Sequence, residues 1–218
     1  MIEIELKAHV YDVASLMAAL SDWAVFKKCC HKDDSYWKDS RRQIQIRIRS
    51  ESVLFSQVSH LNPSWWPQVG FPETVAGLLA VLSQEFEKEQ GTEEQVFVTY
   101  KRKRLVEGSL EVNREQEFQV DRREPLEVFL QDAGFSPHLR KEKLVASWEW
   151  EDVTLELCFI PELGNFLELE ILSPNAHPQM VADCHNKLRG LLSRCGIAES
   201  AIEGRFYSQL LDEVRCRG

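Results

Sequence analysis

Two glutamates one residue apart, Glu3 and Glu5, open the chain with Lys7 next in the same spacing, and like charges recur at i and i+2 to its far end. Arg47 and Arg49 repeat the pattern, then Lys101 and Lys103, Glu115 and Glu117, Lys141 and Lys143, and Glu168 and Glu170. A β-strand sends residues i and i+2 to one face, so each pair points one way while its apolar neighbours point the other. One such pair is an ordinary solvated strand face. Six in one chain, with signs running acid, base, base, acid, base, acid, imply a polar interior. Arg grips phosphate oxygens bidentately and Lys serves as a point charge. The carboxylates are no use against phosphate itself, but they hold hard cations such as Mg²⁺ or Mn²⁺. Together the set would bind a polyanion with its metal ions. In the run Lys101 to Arg104, alternation sends Arg102 and Arg104 to the other face as surface charge.

Holding these groups requires strands, and the alternation supplies eight: residues 2–9, 33–38, 42–50, 95–103, 110–120, 140–150, 153–159 and 166–172. Helices are expected at 13–23, capped by Asp12, from Pro125 to Gly134, at 178–195 before Gly196, and at 205–214. Many strands with few helices between them predict a mainly β (α+β) fold, an eight-stranded antiparallel sheet closed on itself with flanking helices. The stretch at about 55–92 carries turn signals and a helical pattern from Pro72 to about Gln90, stopped at Gly91. It is too short to bury a core of its own, and it reads as a partly helical insertion in a single domain spanning residues 1–218. Trp65 and Trp66 within it read as packing residues.

Composition narrows the function. The 218 residues are 44% hydrophobic and 28% charged, ordinary for a globular protein, and the net charge of −9 argues against general binding to nucleic acid. The longest apolar run, Val75 to Leu82, is about half a membrane span, and no signal peptide is readable. Six cysteines without CxxC spacing read as reduced thiols, which places the protein in the cytoplasm. The histidines show no metal-binding spacing, and Cys184 and His185 read as one buried and one exposed side chain. No Gly-rich phosphate loop exists, so phosphate binding must come from side chains.

Glu3-Ile4-Glu5-Leu6-Lys7 is similar to the ExExK signature of the CYTH superfamily, the triphosphate tunnel metalloenzymes. Later elements arrive in that family's order: Asp34-Ser35-Tyr36-Trp37, Arg47-Ile48-Arg49, Thr99-Tyr100-Lys101, Arg114 to Glu117, Lys141-Glu142-Lys143 and Leu163 to Glu170. Phe206 to Leu211 resembles the end of the class IV (CyaB-like) adenylyl cyclase branch. The resemblance implies a tunnel that binds a triphosphate such as ATP, tripolyphosphate or thiamine triphosphate, with Mg²⁺ or Mn²⁺. It implies Glu3, Glu5, Glu117, Glu168 and Glu170 at the metal, and Arg47, Arg49, Lys101, Lys103, Lys141 and Lys143 on phosphate. Lys7 would be the catalytic residue, orienting the attacking group. No nucleic acid or membrane partner is implied, and a homodimer is compatible. The implied activity is conversion of ATP to cyclic AMP and pyrophosphate. A triphosphatase is the alternative, and a non-catalytic binder of polyphosphate or nucleotide is the second. Two departures stand out: Lys143 replaces a family Arg, and Cys158 replaces a metal-site Asp, for which Glu156 is the nearest substitute.

Overall fold

The computed structural model describes residues 2–39, 44–56, 66, 94–106, 110–175 and 177–216, without the side chains of 44, 101–106 and 110–115. Eight antiparallel strands carry it: β1 (Ile2–His9), β2 (Val25–Asp39), β3 (Ile44–Ser56), β4 (Gln95–Val106), β5 (Leu110–Val120), β6 (Ser136–Trp150), β7 (Val153–Ile160) and β8 (Gly164–Ser173). Four helices flank them: α1 (Val13–Ser21), α2 (Arg123–Asp132), α3 (Pro178–Arg194) and α4 (Tyr207–Arg215).

The pairing order is β1-β5-β4-β3-β2-β6-β7-β8, and β1 also pairs with β8, so the order runs round a ring. The ring is uneven. β2 pairs along most of its length with both β3 and β6, whereas β1 meets β5 only from Ile2 to Leu6, and β3 meets β4 only from Ile46 to Glu51. The closed tunnel expected from the sequence is therefore corrected to a strongly curled antiparallel sheet, deep like a half-barrel along β2-β6-β7-β8-β1 and thinly seamed opposite, because the eight-residue β1 reaches only the Leu110–Arg114 end of β5.

The main apolar core lies outside the curl. Leu6, Leu144, Leu155, Leu157 and Leu169 face α1 (Leu16, Met17, Leu20) and α3 (Leu188, Leu191, Leu192). Trp66 is wholly buried in this cluster, as expected for a packing residue, and its Nε1 donates to Asn165 Oδ1 at 2.7 Å. On another side α2 seats Leu130 against Trp37, Ile48 and Val96. Asp33 fastens the same side by accepting from Arg140 (3.0 and 2.8 Å) and from Arg123 of α2 (2.9 Å). The opposite parity of every strand is left to line the interior.

Local signals behave as their chemistry dictates. Asp12 caps α1 by accepting from the Ser15 amide at 3.0 Å. Gly196 ends α3 with φ +73°, a conformation costly for any residue with a Cβ. All six cysteines are free thiols. Four expectations change. β2 begins at Val25 rather than residue 33, β3 continues to Ser56, and α4 starts at Tyr207. Cys184 and His185 are both buried, because Arg189 supplies a hydrogen bond to the imidazole at 2.9 Å. The helix expected at 72–90 lies outside the described residues. Among the described residues, no helix is long and apolar enough to cross a membrane.

Because Leu188 is wholly buried in the outer core, Leu188→Ala should lower the unfolding free energy by about 2–5 kcal/mol, read as a lower urea midpoint.

Candidate functional site

The inward residues enclose a cavity of about 350 Å³. Strand register arranges them in rows. One row crosses Tyr36, Arg47, Thr99 and Glu117, and the next crosses Lys141, Asp34, Arg49 and Phe97. A third crosses Lys143, Lys32, Glu51 and Gln95. An uncharged row of Cys30, Val145 and Cys158 follows. Beyond it lie Glu156, Glu168 and Lys7, and then Glu170 beside Glu5. The long strands β2, β3 and β6 thus carry the bases, and β1, β5, β7 and β8 carry most of the acids.

Side chains reach along and between rows to neutralise one another. Arg49 gives Asp34 two hydrogen bonds, at 2.6 and 3.0 Å, and Lys141 Nζ lies 3.2 Å from the same carboxylate. Lys32 crosses the uncharged row to donate to Glu156 at 2.8 Å, and Lys143 crosses it to donate to Glu168 at 2.9 Å. Lys28 pairs with Glu51. Arg47 Nη2 donates to Thr99 Oγ1 at 2.9 Å, and the Thr99 hydroxyl donates to Glu117 at 2.8 Å.

Proton affinities follow this pairing. Burial alone would raise the Asp34 carboxyl, but Arg49 and then Lys141 hold it well below the usual carboxylate range. Burial likewise opposes ionisation of Glu156, and the Lys32 and Lys143 ammoniums override it, bringing that group to about 2. Glu168 is lowered in the same way, chiefly by Lys143 against burial. The Cys158 thiol moves the other way, pushed up by burial and then by Glu168, so it stays protonated.

Five buried side-chain polar atoms have no hydrogen-bond partner among the described residues, and three of them belong to residues lining the cavity: Glu168 Oε1, Arg47 Nε and the Tyr207 hydroxyl. Leaving a buried donor or acceptor unmade is costly. A carboxylate oxygen in this position suits a divalent cation, and a guanidinium N–H suits a phosphate oxygen. The donor set therefore fits a hard cation, with Glu5 and Glu170 lining the same cavity as Glu168. The charge balance points the same way. Among the described residues of the lining, six bases face seven carboxylates, an excess of acid that a cation entering the cavity would offset.

Most of the residues expected from the sequence meet here. Arg47, Arg49, Lys141, Lys143, Glu3, Glu5, Glu117, Glu168 and Glu170 all line the cavity. Glu117 is tied to Thr99 and Arg47 on the β4–β5 side. Lys7 is not in the lining. Its ammonium donates to the Arg205 carbonyl at 2.7 Å and lies 4.5 Å from the centre of the Tyr207 ring. The side chains of Lys101, Lys103 and Glu115 lie outside the described residues. Sequence reasoning missed Lys28, Lys32, Glu51 and the partner role of Asp34. It also missed Phe206, Tyr207 and Ser208, which reach the cavity from the start of α4. The i, i+2 spacing of Lys32, Asp34 and Tyr36 was an available signal, and β-bulges at both flanks of Lys28 obscured its continuation.

Neither family models nor curated proteins match the chain in sequence. Solved structures do match in fold. The PH1819 protein of Pyrococcus horikoshii OT3 is 21% identical with a TM-score of 0.67, the match covering 97% of this chain and 98% of that one. A candidate adenylate cyclase from Vibrio parahaemolyticus is 13% identical, TM-score 0.64, covering 97% and 98%. HpAC1 of Hippeastrum, a candidate adenylyl cyclase described as having a dominant triphosphatase activity, is 17% identical, TM-score 0.53, covering 96% and 93%. At these identities the likeness is one of fold.

Two outcomes test the charge pairing. Asp34→Asn leaves Arg49 and Lys141 buried without their counter-charge and should cost about 3–5 kcal/mol in urea unfolding. The Glu156 carboxyl is depressed in the folded state, so its contribution to stability is full above its ordinary value of 4.5 and disappears as pH falls toward about 2. Thermal melts across that window should therefore fall less steeply for Glu156→Gln than for the native chain.

Proposed function

We propose that this chain, which has the fold of the CYTH superfamily, binds a triphosphate together with a divalent cation in its cavity and acts on it as an enzyme. The observation that carries this reading is one cavity walled by opposite charges in which buried polar atoms of Glu168, Tyr207 and Arg47 have no hydrogen-bond partner among the described residues. Arg47, Arg49 and Lys141 take the phosphate oxygens, and Glu168, Glu5, Glu170 and Glu3 hold Mg²⁺ or Mn²⁺. The ion, when bound, neutralises charge that builds on the phosphoryl oxygens. Phosphoryl chemistry asks the protein mainly for alignment and electrostatic stabilisation. Those are the services this lining offers.

Lys7 shares the β1 face of Glu3 and Glu5 and holds the C-terminal segment. Its backbone carbonyl accepts from the Glu203 amide at 2.8 Å and its ammonium holds the Arg205 carbonyl, so it anchors the segment that carries Phe206 to Ser208 into the cavity.

The finer reaction is cyclisation of ATP: the ribose 3′-hydroxyl attacks the α-phosphorus, and pyrophosphate leaves. Hydrolysis by water at the terminal phosphorus is the second reading, favoured by the triphosphatase activity of the Hippeastrum neighbour. Product analysis separates them. The protein is incubated with ATP, tripolyphosphate and thiamine triphosphate in Mg²⁺ and in Mn²⁺. Cyclic AMP with pyrophosphate supports the first reading and orthophosphate the second, while binding without either product would remove catalysis.

Arg47→Ala removes the unpartnered guanidinium donor and should weaken tripolyphosphate binding by about tenfold, the scale of one charge-assisted hydrogen bond. Calorimetric titration reads the change, and an unaltered affinity would remove Arg47 from the site.

A further inference from the structure

The geometry points to Lys143 as a cation built into the chain. We propose that its ammonium fills the cation position formed by Glu156, Cys158 and Glu168, so that the divalent ion of the site binds only on the Glu5–Glu170 side of Glu168. This deepens the function proposed above and rests on it for the location of the solution ion alone.

Three potential metal-ligand atoms, one each from Glu156, Cys158 and Glu168, lie within 4.8 Å of one another. All three face the same amine. Lys143 Nζ is 2.9 Å from Glu168 Oε2, 3.4 Å from Cys158 Sγ and 3.6 Å from Glu156 Oε2. An ammonium has three N–H bonds, so its donors match the acceptors in number. The side chain is 4% exposed, and it reaches this point by lying across the uncharged row of Cys30, Val145 and Cys158. A carboxylate at 158 would stop it there in its own neighbourhood. A neutral thiol lets it extend to Glu168.

Lys32 completes the arrangement by pairing with the other oxygen of Glu156 at 2.8 Å. Two buried ammoniums therefore face two half-buried carboxylates, and a divalent ion at the same point would press against both ammoniums. Glu168 Oε1 is the oxygen of that carboxylate that Lys143 does not hold, and the Tyr207 hydroxyl lies beside the same carboxylate. The two departures at Lys143 and Cys158 are one device. Cysteine is uncharged and lets a long cationic side chain pass the row to Glu168.

Cobalt titration tests this, because Co²⁺ bound to a cysteine thiolate gives a near-ultraviolet charge-transfer band, the thiol losing its proton to solvent on binding. The native chain should bind Co²⁺ without that band. Lys143→Met empties the position and should add the band and one further Co²⁺ per chain. Lys143→Met combined with Cys158→Ser should lose the band, and Lys143→Arg, which keeps the cation, should never show it. A thiolate band in the native chain would overturn the proposal, and this arm needs no variant to fold. A folded Lys143→Met chain without the band would overturn it too. If the native chain bound no Co²⁺ or Mn²⁺ at all, the function proposed above would lose its metal, while the band in Lys143→Met would still decide the role of Lys143.

Discussion

Buried charge inside a curled sheet is tolerable only where each charge meets its opposite within hydrogen-bonding reach, and the interior of this chain is built on that constraint. Arg49 and Lys141 converge on Asp34, Lys32 on Glu156, and Lys143 on Glu168. Breaking one such pair strands a charge in a poorly solvated place, which costs far more than the pair itself contributes. The pairing thus keeps the lumen open and charged where an apolar fill would collapse it. The apolar work is moved outside, to the faces under α1 and α3.

Strand geometry converts that constraint into a site. Register rows put bases on β2, β3 and β6 and most acids on β1, β5, β7 and β8, so the two signs face each other across the cavity. The internal ion pairs fix the lining, and they leave buried polar atoms of Glu168, Tyr207 and Arg47 without a hydrogen-bond partner among the described residues. The C-terminal segment joins this design through Lys7, whose amine and carbonyl both fix residues 203–205 next to the cavity end of α4.

Much of this was legible in the residues. The i, i+2 charge pairs fixed the faces of β1, β3, β6 and β8, and they named most of the lining, because a two-residue period survives any reasonable register. β2 was the poor case. Its Lys27-Lys28-Cys29-Cys30 run has no alternation until bulges shift the phase, so a fifteen-residue strand read as six residues around Tyr36 and Trp37. Lys28, Lys32 and Asp34 went unrecognised with it. The place of Lys7 was illegible for a different reason. Its spacing from Glu5 marks the right face, but its contact with Arg205 joins positions 198 residues apart. Full closure was misjudged because the extent of pairing between two strands, short for β1 with β5 and for β3 with β4, leaves no trace in either strand's own sequence.

The central claim is that the cavity takes its polyanion only with a divalent ion. Calorimetric titration of tripolyphosphate into the metal-free protein, and then into the protein with Mg²⁺ or Mn²⁺, tests it most directly. The account predicts weak or undetectable binding without the ion and saturable binding at one site with it. Binding of equal strength with and without the ion would contradict it.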